Sequence, residues 1–168
     1  MTTPHDGLAS VPLPQRTGSV RDFDFLVGTW AVQHRTCKTP DKRWIELTST
    51  TCMTSYLGGV LNVEEQQFHA RGTRAAAVRT FELEKRQWAI YWIEQDSGVL
   101  LPPVWGGFDG DRGEFFGVDD YAGERFLCRF VWTKLDADHA RWEQAYARDG
   151  EAWDVNWVMD FTRIAGAR

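Results

Sequence analysis

Between residues 29 and 163, apolar and polar residues alternate in ten short runs, and no stretch carries the spacing of a helix of ordinary length. The runs cover 29–38, 43–54, 59–69, 73–83, 87–94, 101–108, 113–119, 125–134, 140–148 and 152–163, each bounded by turn residues. Their connections are short, as at Thr39-Pro40-Asp41-Lys42, Asp109-Gly110-Asp111-Arg112 and Asp149-Gly150. Such links suit consecutive antiparallel hairpins rather than helical crossovers. About ten strands in sequence predict an all-β, antiparallel, up-and-down barrel, which closes a meander without leaving edges. Nine tryptophans in 168 residues, most of them within these runs, put a large aromatic surface on one face of the sheet. A barrel interior cannot close-pack that many rings without leaving concave space, so the pattern predicts a hollow, apolar interior.

The strand registers sharpen this expectation. If Asp149-Gly150 is a two-residue type I′ turn, Arg148 faces Glu151, Tyr146 faces Trp153, Gln144 faces Val155 and Trp142 faces Trp157, with Met159 and Phe161 continuing the face. Glu143, Asp154, Asn156, Asp160 and Thr162 then line the other face, giving the in/out division of a barrel wall. Pairing across Glu84-Lys85 sets Phe81 by Trp88, Arg79 by Ile90 and Ala77 by Trp92, and Phe126, Cys128, Phe130 and Trp132 form a further apolar row opposite Arg129. Arg148 shares the inward parity but sits at a turn, which leaves Arg79 as the one arginine these registers place among inward aromatics.

Composition excludes several classes of partner. The length fits one domain, residues 20–168, preceded by a Pro-containing arm over residues 1–19 that is expected to be loose or draped on the surface. A net charge of −5 with acidic and basic residues interspersed offers no phosphate-neutralising patch and no polybasic stripe, so neither nucleic acid nor membrane is an expected partner. The opening MTTPHDG lacks a basic segment followed by an apolar one, and no apolar run is long enough to span a bilayer; a cytoplasmic protein is expected. Cys37, Cys52 and Cys128 are widely spaced without a CxxC pair and are expected to be buried, reduced thiols.

At Phe25-Leu26-Val27-Gly28-Thr29-Trp30 a short helical turn leads into a Gly-x-Trp at the head of the first strand. This resembles the calycin signature shared by lipocalins and fatty-acid-binding proteins. The resemblance implies that Trp30 plugs the closed end of a barrel beneath an arginine of the last strand, here Arg163. The wider pattern, Asp22 to Trp30, Gly58-Gly59 with Asn62, Pro102-Pro103-Val104, Arg141-Trp142-Glu143-Gln144 and Asn156-Trp157-x-Met159, is similar to an uncharacterised bacterial lipocalin-like family and covers nearly all of the chain after the arm. That family implies a calycin-like barrel and no particular reaction. The helix that lipocalins carry before the terminal strand and the helical lid of fatty-acid-binding proteins are both unreadable here, so residues 96–104 are the expected partial lid. A related haem-binding barrel would need an axial ligand, and His139, the only histidine in the C-terminal half, falls in a turn.

Individual residues carry two readings each. His34 shares parity with Trp30 and Val32 and should point inward, as an acid, base or hydrogen-bond donor to a ligand, or as a satisfied structural histidine. Glu46 is its natural partner, although a one-residue change of register pairs Glu46 with Arg35 on the outside instead. Arg79 can clamp a ligand carboxylate or form a salt bridge to Glu64 or Glu65. Trp92, Trp132, Trp142, Tyr146 and Trp157 are either pocket wall or core. Two functions remain: a carrier of a small hydrophobic or aromatic molecule, with or without an anionic group, or a cofactor-independent isomerase, cyclase or hydratase using His34 and Glu46 on such a molecule. No glycine-rich nucleotide loop, nucleophile elbow, HExxH or paired CxxC is present, so no cofactor or metal is expected. A second copy of the chain remains open as a partner.

Overall fold

The computed structural model describes residues 11–38 and 41–164. Each of the ten alternating runs is a strand, with ends displaced by a few residues: β1 (Gly28–Thr36), β2 (Ile45–Tyr56), β3 (Leu61–Phe68), β4 (Arg74–Glu82), β5 (Gln87–Glu94), β6 (Val104–Asp109), β7 (Arg112–Tyr121), β8 (Glu124–Lys134), β9 (His139–Ala147) and β10 (Asp154–Arg163). Every strand pairs antiparallel with its sequence neighbours, and β1 pairs with β10, so the sheet closes into a ten-stranded barrel that fits a calycin-like fold. Among the described residues no helix is long and apolar enough to cross a membrane. The predicted turn at 39–42 and the predicted arm fall partly on residues 39–40 and 1–10, outside the described residues.

One end of the barrel is packed solid. A 3₁₀ turn (Asp24–Leu26) lies across it and delivers Phe23 and Leu26 into a cluster with Trp30, Trp88, Phe108, Phe115, Trp132 and Phe161. Phe23 meets Trp88 and Phe108 edge-on at centroid separations of 5.1 and 5.2 Å, the geometry that aromatic quadrupoles favour. Gly28, with φ of 121°, lets the chain swing from this turn into β1 in a conformation that side chains resist. Trp30 is fully buried, donates its indole N–H to Leu26 O at 2.8 Å, and lies beneath the Arg163 guanidinium, 4.1 Å from its ring centroid. Arg163 in turn donates to the backbone oxygens of Phe25, Val27 and Ala137, at 2.6, 2.8 and 3.1 Å, and so ties the 3₁₀ turn and the turn between β8 and β9 together over the plug.

Two hairpins test the expected registers with opposite results. Across residues 83–86, Phe81 pairs with Trp88, Arg79 with Ile90 and Ala77 with Trp92, as alternation predicted. Across residues 148–153 the pairing differs: Trp142 lies opposite Met159 and Gln144 opposite Trp157. The turn is longer than two residues, because Asp149 Oδ1 accepts from the backbone N–H groups of Glu151 and Ala152, at 2.9 and 3.1 Å. Only Gly150 of the expected turn pair has positive φ, which excludes a type I′ turn. A bulge between Val155 and Trp157 then resets the parity. Trp142, Trp157, Met159 and Phe161 keep a common inner face, whereas Asn156 is buried rather than outward and Trp153 lies outside on Phe116, with Arg129 over its ring at 4.8 Å.

Residues 11–19 run over the outer wall and the closed end. Gly18 N–H donates to Arg86 O at 2.8 Å, Trp88 donates its indole N–H to Ser19 O at 2.9 Å, and Arg16 pairs with Glu114 at 3.0 Å. Of the cysteines, Cys128 is buried as expected, Cys37 is half-buried and Cys52 is exposed. The parity that sends Thr51 and Met53 inward on β2 sends Cys52 out.

Candidate ligand-binding site

The inner residues of β3, β4 and β5 carry the chemistry of the interior. On β3, Asn62, Glu64 and Gln66 face inward, and on β4 Arg79 lies opposite Asn62. Arg79 and Glu64 are 2 % and 4 % exposed and form a direct ion pair. Thr51 donates its hydroxyl to the other Glu64 oxygen at 2.9 Å, and Asn62 Oδ1 accepts from Arg79 Nη1 at 3.3 Å. The guanidinium also rests on aromatic faces, 4.9 Å from the Phe23 centroid and 5.5 Å from that of Trp132. A buried charge needs a partner, and this one has a carboxylate, an amide oxygen and two rings.

Above this floor the interior opens. A cavity of about 360 Å³ is walled by Trp92, Trp132, Trp142, Trp157, Phe130 and Met159, with Ile90, Ala77 and Val104 between them; Glu64, Gln66, Arg79 and Gln144 are among its polar groups, and Lys38, Glu94, Asp119 and Asp120 line it as well. This lies within the size range of sites for small organic molecules, and the mix of mostly apolar lining with a few polar groups is theirs as well. The opening follows from a short ladder. β5 and β6 share only three paired positions, Trp88–Gly106, Ala89–Trp105 and Ile90–Val104. Beyond them the wall continues only through the isolated bridge between Ile93 and Leu100 and the Leu101 N–H donating to Trp92 O at 2.8 Å, and Ser97, Val99, Leu101 and Pro102 of the expected lid segment line the cavity. Val99, Leu100 and Leu101 are nevertheless exposed on their outer side.

The lip opposite is polar. Lys38 stands 3.5 Å from Asp119 and about 5 Å above the rings of Tyr121 and Tyr146. Tyr146 donates its hydroxyl to Asp119 and stacks on Phe126 at 5.1 Å, with its rings 10° apart. Burial, reinforced by that hydrogen bond to Asp119, raises the Tyr146 phenol well above its ordinary pKa, and burial likewise pushes up the thiol of Cys128.

The structure therefore brings together Arg79, Trp92, Trp132, Trp142 and Trp157 on one cavity wall, as the sequence predicted. It does not bring Tyr146 there, because the side chain is held at the lip by Asp119 and Phe126. Nor does it bring His34 and Glu46 together. Glu46 is exposed on β2 opposite Arg35, the register in which that carboxylate faces outward. His34 is fully buried, but Trp157 and Phe68 flank it and both ring nitrogens are engaged. Its Nδ1 accepts from the Trp157 indole N–H at 3.1 Å; an indole can only donate, so the proton sits on Nε2, which donates to Ser49 Oγ at 2.8 Å. Burial, with a smaller contribution from the charge of Arg71, lowers its pKa to about 4. His34 thus holds Trp157 in place as a neutral ring.

Gln66 and Glu64 were not singled out by sequence reasoning as cavity residues, although their inward parity on β3 was available from the alternation. Among the described residues no group of three or more His, Cys, Asp or Glu side chains is placed to hold a metal ion. His139 is exposed at the head of β9 rather than in the turn before it, its Nδ1 2.9 Å from Asp136. No protein-family model matches the chain, and no curated protein is found similar to it.

Proposed function

We propose that this protein binds a small hydrophobic or aromatic molecule inside its barrel, as a carrier or sequestering module. The observation that carries the reading is the cavity of about 360 Å³ walled by four tryptophans above the filled end of the barrel and reached beside the segment 95–103. The Gly28, Trp30 and Arg163 arrangement supports placing the chain among lipocalin-like barrels of the calycin type. An acid–base reaction led by His34 and Glu46 draws no support from the geometry, since one lies behind the wall and the other outside it. The Glu64 carboxylate beside Arg79 also disfavours an anionic ligand, which would meet a balanced pair in place of a free cation.

Titration with the uncharged probe N-phenyl-1-naphthylamine, read by quenching of tryptophan emission, tests this. Saturable one-to-one binding is expected, and Ala77→Phe, which grows a ring into the cavity beside Trp92, should abolish it while leaving the far-ultraviolet circular dichroism unchanged. Binding that survives Ala77→Phe would place the probe elsewhere, and no binding to the parent protein would mean that the space takes no ligand.

A further inference from the structure

The charged side chains that line the cavity are Glu64, Glu94, Asp119 and Asp120 against Lys38 and Arg79, so carboxylates outnumber cations. Three of these carboxylates have a cation of their own. Glu64 pairs with Arg79, Asp119 stands 3.5 Å from Lys38, and Asp120 pairs at 3.1 Å with Arg125, which does not line the cavity. Glu94 has no cation within ion-pair distance among the described residues; its Oε1 accepts the indole N–H of Trp92 at 3.3 Å. Both residues belong to the inner face of β5 at its mouth end, with Trp92 opposite Ala77 and Glu94 opposite Ala75, so β4 sets only methyl groups beside the ring and the carboxylate. Trp92 is half-buried and Glu94 exposed, and each keeps surface that a molecule in the mouth can meet.

We infer that the ligand is a monocation, a hydrophobic amine whose ammonium group sits at the mouth against Glu94 and the Trp92 ring while its apolar body lies among Trp132, Trp142 and Trp157. One positive charge is what the lining lacks once its own pairs are counted. An indole face attracts a cation through its quadrupole, and the carboxylate that accepts its N–H adds a full negative charge beside the same ring. The chain makes this combination with its own residues on the opposite lip, where the Lys38 ammonium lies 5.0 and 5.1 Å from the ring centroids of Tyr121 and Tyr146, next to Asp119. The Glu94 side has the ring and the carboxylate without the ammonium. An anion would meet surplus carboxylate at the mouth, with Lys38 and Arg79 both already engaged.

This inference rests on the ligand-binding reading above, and three probes of nearly the same shape separate the two. They are 2-naphthylmethylamine, which is protonated at neutral pH, the uncharged 2-naphthylmethanol, and the anion 2-naphthoate. Parent protein should bind the amine most tightly, the alcohol next and 2-naphthoate most weakly. Glu94→Gln keeps an oxygen for the Trp92 N–H and removes the charge, so it should weaken the amine roughly three- to fivefold, the scale of one partly screened ion pair, while the alcohol changes by less than about twofold. Glu84→Gln removes the same charge from the exposed turn at the far end of β5 and should leave the amine within about twofold of its parent affinity, which separates a local contact from the attraction of an acidic protein for any cation. An amine no tighter than the alcohol, equal losses of both in Glu94→Gln, or the same loss of amine in Glu84→Gln would overturn the inference while leaving ligand binding intact. So would tightest binding of 2-naphthoate. Failure of all three probes to bind would remove the ligand-binding reading and this inference with it.

Discussion

Burial deprives His34 of the water that would solvate an imidazolium, and its two nitrogens are committed to Trp157 and Ser49 as a neutral ring. Its pKa falls from 6.5 to about 4, so the unfolded chain binds a proton that the folded chain refuses. Between these values, stability must therefore decline as the pH is lowered, and above pH 6.5 His34 contributes no slope. The shift corresponds to a loss on the order of 3 kcal/mol. Urea unfolding at a series of pH values should show a steeper decline for the parent than for His34→Gln across this range; parallel profiles would mean that the ring protonates in place. The pair Arg79 and Glu64 yields a second expectation. Arg79→Met leaves a buried carboxylate without its counter-charge and should cost about 3 to 5 kcal/mol, whereas combining it with Glu64→Leu should recover most of that loss. A single substitution no worse than the double would show that Glu64 is solvated or protonated.

At the scale of the element, the β9–β10 hairpin shows how one inserted residue redirects a wall. The bulge turns Asn156 inward, where its Oδ1 accepts from Gln144 Nε2 at 2.9 Å and its backbone oxygen accepts from Thr36 Oγ1 and from the Cys37 N–H, at 3.0 and 2.9 Å. Asn156→Ala strands the Gln144 amide and should cost about 1 to 2 kcal/mol by chemical denaturation; Gln144→Leu on top of it should restore part of that, and strict additivity would show that the two do not interact. The same hairpin marks where the sequence ceases to be legible. Strand positions, the in/out division of β8, the 83–86 register and the aromatic wall follow from a period of two and from short turns, both of which are local. The outward turn of Glu46 depends on the length of the link between β1 and β2, and the Asx turn and bulge depend on a side chain capping its own loop, and alternation carries neither. The choice of Glu64 over Glu65 as partner of Arg79 was open for a different reason: both are on β3, alternation puts them on opposite faces, and the register with β4 sets Glu64 on the face that Arg79 shares.

In the whole molecule, a filled end and a hollow end divide one barrel, and Arg163 joins the parts of the filled end. It bridges the 3₁₀ turn, the β8–β9 turn and Trp30. Arg163→Ala should lower stability by roughly 1 to 3 kcal/mol, and Arg163→Lys should not rescue it, because an ammonium cannot spread over an indole and reach three separated carbonyls. A loss within measurement error would show that the plug holds by packing alone. The seam beneath this arginine also has a consequence for how the molecule comes into being. Trp30 pairs with Arg163, and His34 with Met159, across more than a hundred residues of chain, while the other nine ladders join strands that follow each other directly. During synthesis β1 therefore emerges early and waits as an open edge, its inner row of Trp30, Val32 and His34 in need of cover, until β10 has left the ribosome. The β1–β10 seam cannot form before β10 is out, so chaperone occupancy of chains stalled on a long linker after residue 163 should be lower than that of chains stalled before β10.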